Sequence, residues 1–449
     1  MREILSEIEQ RMDQPTARGL ANAVSRTIRD GVLMPGTKLP PIRRVASELA
    51  ISPTTVTAAW RLLARSGAIH GAGRRGTTVA ETAAPGAVRY RQAVSRGTSF
   101  AVDLSTGVPD AALLPNLASS FVDLTTAGTP SSYLDAPVLP ELEAELRRSW
   151  PYPADQITVV DGALDALDQV ARSTLRFGDR VVVEHPCFPP LVDLMEAAGV
   201  EVVGVPLDAE GMSLERLAEA LETSTRAIFL QPRAQNPTGV SMTRERARSL
   251  GRVIEGSRAL VVEDDSTGAI GMSEPLSMGE WLPDQTVHIR SFSKSHGPDL
   301  RLAAMSAPPE LMTDLLARRQ LGQGWSSRLL QRILLHLLTD PVAIAEVEKA
   351  RSVYARRRRV IVEELAKHGV EVGRGDGINL WIPVQDEASA LIRLASQGIG
   401  VAPGKPFAVL PETRGFMRVT VGLVSSGNES LAQALSDAAN ITTWASVAR

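Results

Sequence analysis

From about residue 98 to about 340, short runs of apolar and β-branched residues alternate with stretches whose apolar positions recur every three or four residues. The runs are ITVV (157–160), RVVVEH (180–185), RAIFLQ (226–231), ALVVEDD (259–265) and VHIRSFS (287–293). Near-continuous apolar character marks strands covered on both faces. Between them lie helical patterns such as Leu164, Leu167, Ala171 and Leu175, one stripe of a helix. The alternation predicts an α/β fold with a mostly parallel sheet layered by helices. From roughly 340 the pattern becomes that of a smaller α+β lobe. A long arginine-rich helix (345–368) is followed by short strands around NLWIPV and FMRVTVG.

The first 80 residues follow a different pattern. A helix over about Gly19–Gly31 places Leu20, Val24, Ile28 and Val32 on one face, PGTKLPP makes a turn, and Ile42–Ala50 forms a second helix. In ISPTTVTAAWRLLARSG, Ser52 suits an N-cap and Pro53 the first helical position, with Val56, Trp60 and Leu63 as the buried stripe. The opposite face exposes Thr54, Thr55 and Thr57, small hydroxyls able to meet phosphates and base edges in a major groove. GAGRRGTTVA then has the glycines of a tight hairpin, with Arg74 and Arg75 at its tip as a wing would need. Arg43 and Arg44 add candidate phosphate contacts. The order predicts a winged helix-turn-helix that binds double-stranded DNA. Pro85, Gly86 and Gly97 interrupt any period in ETAAPGAVRYRQAVSRG, so the expected division is a DNA reader (1–80), a linker (81–97) and a second domain (98–449).

Composition sharpens this only in places. A chain of 449 residues exceeds one ordinary core, and 44% hydrophobic with 22% charged residues is the balance of a globular protein. No apolar run approaches the roughly 18 residues of a membrane span, and the charged start MREILSEIEQRMDQ lacks a signal-peptide core. The single cysteine, Cys187, excludes an internal disulfide framework and fits a reducing cytoplasm. The net charge of −3 is uninformative, but between Arg61 and Arg96 Glu81 is the only carboxylate among many arginines. No metal site is expected.

The second domain carries a set of groups that suit pyridoxal 5'-phosphate. In SFSKSHGPDLRLAAM, Lys294 stands at a strand end, where its amine can form a Schiff base with the cofactor aldehyde. Ser291, Ser293 and Arg301 can hold the phosphate through hydroxyls and a planar guanidinium. Asp264 in ALVVEDD sits at the carboxyl end of a strand, where such sheets bind ligands, and can keep the pyridine nitrogen protonated; Asp265 is the neighbouring alternative. Asn236 in QNPTG can donate to the ring's phenolic oxygen. In VVDGALDAL the backbone amides of Gly162, Ala163 and Leu164 open a helix and form a phosphate cradle. Phe188 in EHPCFPP is placed to stack on the ring.

In order and spacing these segments resemble a fold-type I aminotransferase, and IRDGVLMPGTKLPPIRRVASELAISPTTVTAAWRLLARSGAIHGAGRRGTTV resembles a GntR-type winged helix. Together they resemble the MocR subgroup of GntR-family transcription regulators, and the likeness covers nearly the entire chain. The resemblance implies Lys294 as the aldimine lysine, Asp264 on the ring nitrogen, Asn236 on the ring oxygen and Phe188 as stacking partner. It implies Arg418 in FMRVTVG as the grip on an effector carboxylate. It also implies Tyr133 reaching the phosphate of the neighbouring subunit in a homodimer, although Val138 replaces that motif's glycine. One departure stands out: EDDY of the family is EDDS here, so Ser266 replaces the tyrosine that bonds the ring oxygen, which favours a differently poised aldimine. The function implied is a regulator that senses a small amino compound through an aldimine at Lys294 and alters operator binding. The alternatives are an aminotransferase with an accessory DNA-binding domain, or a DNA-binding dimer whose enzyme-like domain is inert. The sensed amine and the direction of regulation are left open.

Overall fold

A computed structural model of the chain describes residues 2–12, 14–34, 36–65, 68–71, 76–79, 100–121 and 136–441, with Arg89 and Val94. Helices Ala17–Arg29, Ile42–Glu48 and Pro53–Arg65 precede an antiparallel pair, Ile69–Gly71 with Thr77–Val79. A helix at Arg2–Gln10 adds Leu5 and Ile8 to a core of Leu20, Val24, Val45, Val56, Trp60, Leu63, Ile69 and Val79. Ser52 Oγ accepts from Thr55 N at 3.0 Å, capping the third helix. Two details depart from the expected pattern. The first helix ends at Arg29, so Val32 falls beyond it and is exposed. The second ends at Glu48, because Ala50 takes a left-handed backbone (φ 50°) that reverses the chain.

The main sheet has eight strands among the described residues. Across it they run Ile157–Val160, Ala303–Ser306, Thr286–Ser291, Leu260–Asp265, Ala227–Leu230, Arg180–His185, Glu201–Asp208 and Gly211–Met212. The central neighbours pair in parallel; Ala303–Ser306 is antiparallel to both its neighbours. That strand, AAMS, is too small and short to stand out in the sequence. The strand expected over 287–293 stops at Ser291, so Lys294 lies three residues beyond it. Helices Ala163–Thr174, Pro189–Ala197 and Pro309–Gln320 cover one face, and Leu214–Leu221 and Arg244–Glu255 the other. In the first of these the buried face is Ala166, Leu167, Val170 and Ala171; Leu164 is exposed, off the stripe it was expected to join.

The long helix begins at Pro341, where Asp340 caps it, and runs to Lys367. Behind it Leu380–Val384, Gly415–Val419 and Ala402–Pro403 form an antiparallel sheet, closed by Glu387–Ser396 and Asn428–Ala439 around a core that includes Ile361, Leu380, Met417 and Leu435. Among the described residues no helix is long and apolar enough to cross a membrane.

Candidate cofactor site

Parallel strands all end on one edge of a sheet, and the loops leaving that edge converge. Pairing places Val160, Ala303 and Ser291 in one row across three strands, which brings the loops beside them into line. Gly162 therefore meets Arg301. The glycine has φ +105°, and a Cβ on it would lie 3.3 Å from Arg301 Nη2. Arg301 takes a left-handed backbone (φ 51°), and its Nη2 donates to Asp161 O at 3.3 Å. Gly162 N-caps the Ala163–Thr174 helix without a side-chain bond, leaving the amides of that first turn directed at the same corner. Ser291 is buried and its Oγ accepts from Ser293 N at 3.3 Å. Amides, guanidinium and hydroxyls thus collect at one place suited to a phosphate.

Asp264 is buried at the end of the strand that pairs with that of Ser291. Its Oδ2 accepts from Gln231 Nε2 at 2.7 Å, whereas Oδ1 is buried without a partner. Burial pushes its pKa up to about 6, opposed by the Gln231 hydrogen bond and the charge of Lys294. Lys294 Nζ donates to Ser266 Oγ at 3.3 Å. Burial holds the amine below its ordinary lysine value, against the attraction of Asp264. Asp265, one residue on, points to the opposite side of the strand and pairs with Arg233 at 2.5 Å. Phe188 is half-buried and lines one small cavity together with Asp264, Gln231 and Leu167. Asn236 Oδ1 accepts from Arg418 Nη1 at 3.3 Å, and Arg418 Nη2 donates to Ser105 O. Arg418 is buried, with its guanidinium 5.1 Å from the centroid of Phe407.

The residues fit pyridoxal phosphate. A pyridinium N–H needs a buried carboxylate oxygen that nothing else occupies, and Asp264 Oδ1 is one. An aldehyde reacts with an unprotonated amine, and burial lowers the hold of Lys294 on its proton. Two further groups went unseen in the sequence. Gln231 donates to Asp264 and Ser266 (3.2 Å) and accepts from the Asn236 backbone N–H (2.8 Å), and its place at the end of RAIFLQ, on the edge that carries Asp264, is the signal that could have found it. Glu184 is fully buried beneath it, accepts from Gln231 N at 3.1 Å, and is pushed up to about 8 by burial.

On the head, Thr54 is exposed while Thr55 and Thr57 are half-buried. Thr55 Oγ1 lies 2.8 Å from Ser52 Oγ, and Thr57 Oγ1 donates to Pro53 O at 2.8 Å. Arg43 is exposed and Arg44 pairs with Glu48 at 3.1 Å. Arg74, Arg75 and Tyr133 lie outside the described residues.

Two family models match the chain: aminotransferase class I and II over residues 101–435, and bacterial regulatory proteins of the gntR family over 16–79. The vitamin B6 salvage pathway transcriptional repressor PtsJ of Salmonella typhimurium is 35% identical over 92% of this chain and 96% of its own. The probable rhizopine catabolism regulatory protein MocR of Rhizobium meliloti is 28% identical over 79% of this chain and 78% of its own. In fold, LysN, an α-aminoadipate aminotransferase of Thermus thermophilus solved with a phosphopyridoxyl-leucine, superposes with a TM-score of 0.69 at 22% identity, over 79% of this chain and 96% of its own. Pyridoxal phosphate is the cofactor of this aminotransferase class. The chain belongs to the aminotransferase class I and II family and, through its gntR head, to the MocR type of transcription regulator.

Proposed function

We propose that the chain is a cytoplasmic, homodimeric regulator that senses a small amino compound at Lys294 and changes its hold on an operator in response. In this account residues 1–80 read DNA, 81–97 link, and 98–449 hold the cofactor. Pyridoxal phosphate, when bound, supplies an aldehyde that exchanges one primary amine for another. Asp264 holds the ring nitrogen, Asn236 the ring oxygen, Phe188 the ring face, and Gly162, Ala163, Leu164, Ser291, Ser293 and Arg301 the phosphate. Tyr133 adds a phosphate contact from the neighbouring subunit. Arg418 would receive a carboxylate on the sensed amine, and Lys294 would be the amine that holds the aldehyde in its absence. For the signal to reach DNA, the two occupancies must favour different domain arrangements. Ser52, Thr54, Thr55 and Thr57 with Arg43, Arg44, Arg74 and Arg75 supply the contacts to DNA.

The observation that carries this is the orphaned Asp264 oxygen beside the buried Lys294 amine. A head with no catalytic use argues against an ordinary aminotransferase, and an intact set of cofactor ligands argues against an inert scaffold. The likeness to a vitamin B6 salvage repressor favours a second account of the signal, in which the vitamin itself is sensed through occupancy of this site. The test is borohydride reduction of the purified chain after supplying pyridoxal phosphate. A mass increment on the peptide bearing Lys294, absent in Lys294→Ala, is expected; an unmodified peptide in the native chain would refute the account.

A further inference from the structure

Phe177 belongs to the cofactor domain by sequence and to the DNA-reading head by packing, since it lies against the head's buried core. Its position comes from the chain's direction. In a parallel α/β layer each helix starts at the edge where ligands bind and ends at the opposite edge. The Ala163–Thr174 helix starts at Gly162 in the phosphate corner and runs about 18 Å, with Phe177 three residues past its far end. The Pro189–Ala197 helix is N-capped by Phe188 and travels about 13 Å in the same sense, with Gly199 two residues past its end. Leu167, Val170 and Ala171 of the first and Leu191, Val192 and Met195 of the second share one core.

The far ends of these two helices interlock. Gly178 N donates to Gly199 O at 2.8 Å, and a Cβ on Gly199 would come within 2.3 Å of the Phe177 ring, so the glycine is where the ring is seated. Gly178 abuts Arg18 of the head, where a Cβ would lie 3.2 Å from Arg18 Cγ. On the second helix, Glu196 accepts a two-pronged bond from Arg89, Nη1 to Oε2 at 2.5 Å and Nη2 to Oε1 at 2.7 Å. Asp193, whose side chain is buried, accepts from the same Nη1 at 3.0 Å. Arg89 lies in the segment that joins head to cofactor domain. One helix pair therefore touches the expected phosphate and ring positions at one end, and grips the head and its tether at the other.

We propose that this pair is the relay between cofactor site and DNA reader, with Phe177–Gly199 and Arg89–Glu196 as its output contacts. The proposal rests on the cofactor reading above. Close-packed helices shift as units rather than deforming. A phosphate and ring seated on Gly162 and Phe188 fix both helix starts, and so fix the surface on which the head is docked.

Hydrogen exchange of the full chain tests this, with pyridoxal phosphate itself as the probe and visible absorbance reporting its uptake. Loading is expected to slow exchange of the Ala17–Arg29 and Pro53–Arg65 amides by about fivefold or more, the lower range of allosteric couplings. In Glu196→Gln and Phe177→Ala uptake should persist while that slowing falls to within about twofold of the unloaded chain. Glu196→Gln alters a half-buried side chain near a helix end, outside the head's core, so it decides the matter even where Phe177→Ala loosens the head. Uptake by the native chain without any change in the head, or an undiminished response in Glu196→Gln, overturns the relay alone. Absence of uptake overturns the cofactor reading and the relay with it.

Discussion

Lys294 Nζ donates to Ser266 Oγ at 3.3 Å, at the position where the aminotransferase resemblance leads one to expect a tyrosine. A serine hydroxyl is shorter than the phenol that would bond the cofactor's ring oxygen, and here it is already held by Lys294 and Gln231. A phenol donating to that oxygen favours its anionic form and lowers the pH at which the bound cofactor's visible band changes. Ser266→Tyr in the cofactor-loaded chain should move that midpoint down by about one unit. A spectrophotometric pH titration with coincident midpoints would show that Ser266 does not set it.

Glu184 gives the unloaded protein a pH dependence. Burial raises its carboxyl to about 8, and Asp264 above it to about 6, both well above unfolded values. A folded-state value above the unfolded one means protonation stabilises the fold: the contribution is whole below about pH 4 and is lost as pH rises through 6 and then 8. Glu184→Gln keeps the shape without the charge. It should be more stable than the native chain at pH 8 by on the order of 3 kcal/mol and nearly equal at pH 5. Urea unfolding at the two pH values measures this, and equal differences at both would exclude Glu184 as the cause.

The sequence was most legible where one residue type has one use. Apolar runs located five strands of the sheet, because a strand buried on both faces has no polar alternation to hide it. Strand-end logic led to Asp264, while Lys294 lies three residues past its strand, and pairing register put Gly162 beside Arg301, which no local pattern contains. Ala303–Ser306 was invisible because AAMS has neither length nor branching. Gln231 and Glu184 escape a reading of the sequence because a glutamine and a glutamate at strand ends usually face solvent. Here the sheet's own neighbours bury them, a tertiary fact. Thr55 and Thr57 were expected on an open face, but a hydroxyl on the first turn of a helix also has a capping oxygen or a free carbonyl within reach.

Arg418 is buried with its guanidinium bonded to Asn236 Oδ1 and Ser105 O, so a carboxylate would exchange neutral acceptors for a charged one. Charge-assisted pairs exceed neutral hydrogen bonds by about a factor of two. Arg418→Gln should weaken binding of carboxylate-bearing amines by roughly 10–100-fold and leave simple amines unaffected. Spectral titration of the loaded chain with paired amines, one of each kind, reads the difference; equal losses for both would remove Arg418 from carboxylate recognition.

On the head, Arg43 is exposed whereas Arg44 already holds Glu48 at 3.1 Å. An arginine that meets a DNA phosphate releases a counterion, which shows as a slope of log affinity against log salt of about −0.9 per contact. An arginine already paired must give up its partner first, and its net contribution is smaller. Arg43→Ala should therefore weaken binding to a random-sequence duplex and reduce the magnitude of the salt slope by about one, with Arg44→Ala reducing it less. Anisotropy titrations across a salt series provide both slopes. If Arg43→Ala leaves the slope where it was, the helix that carries both arginines does not lie along the DNA backbone, and the head engages its operator by another face.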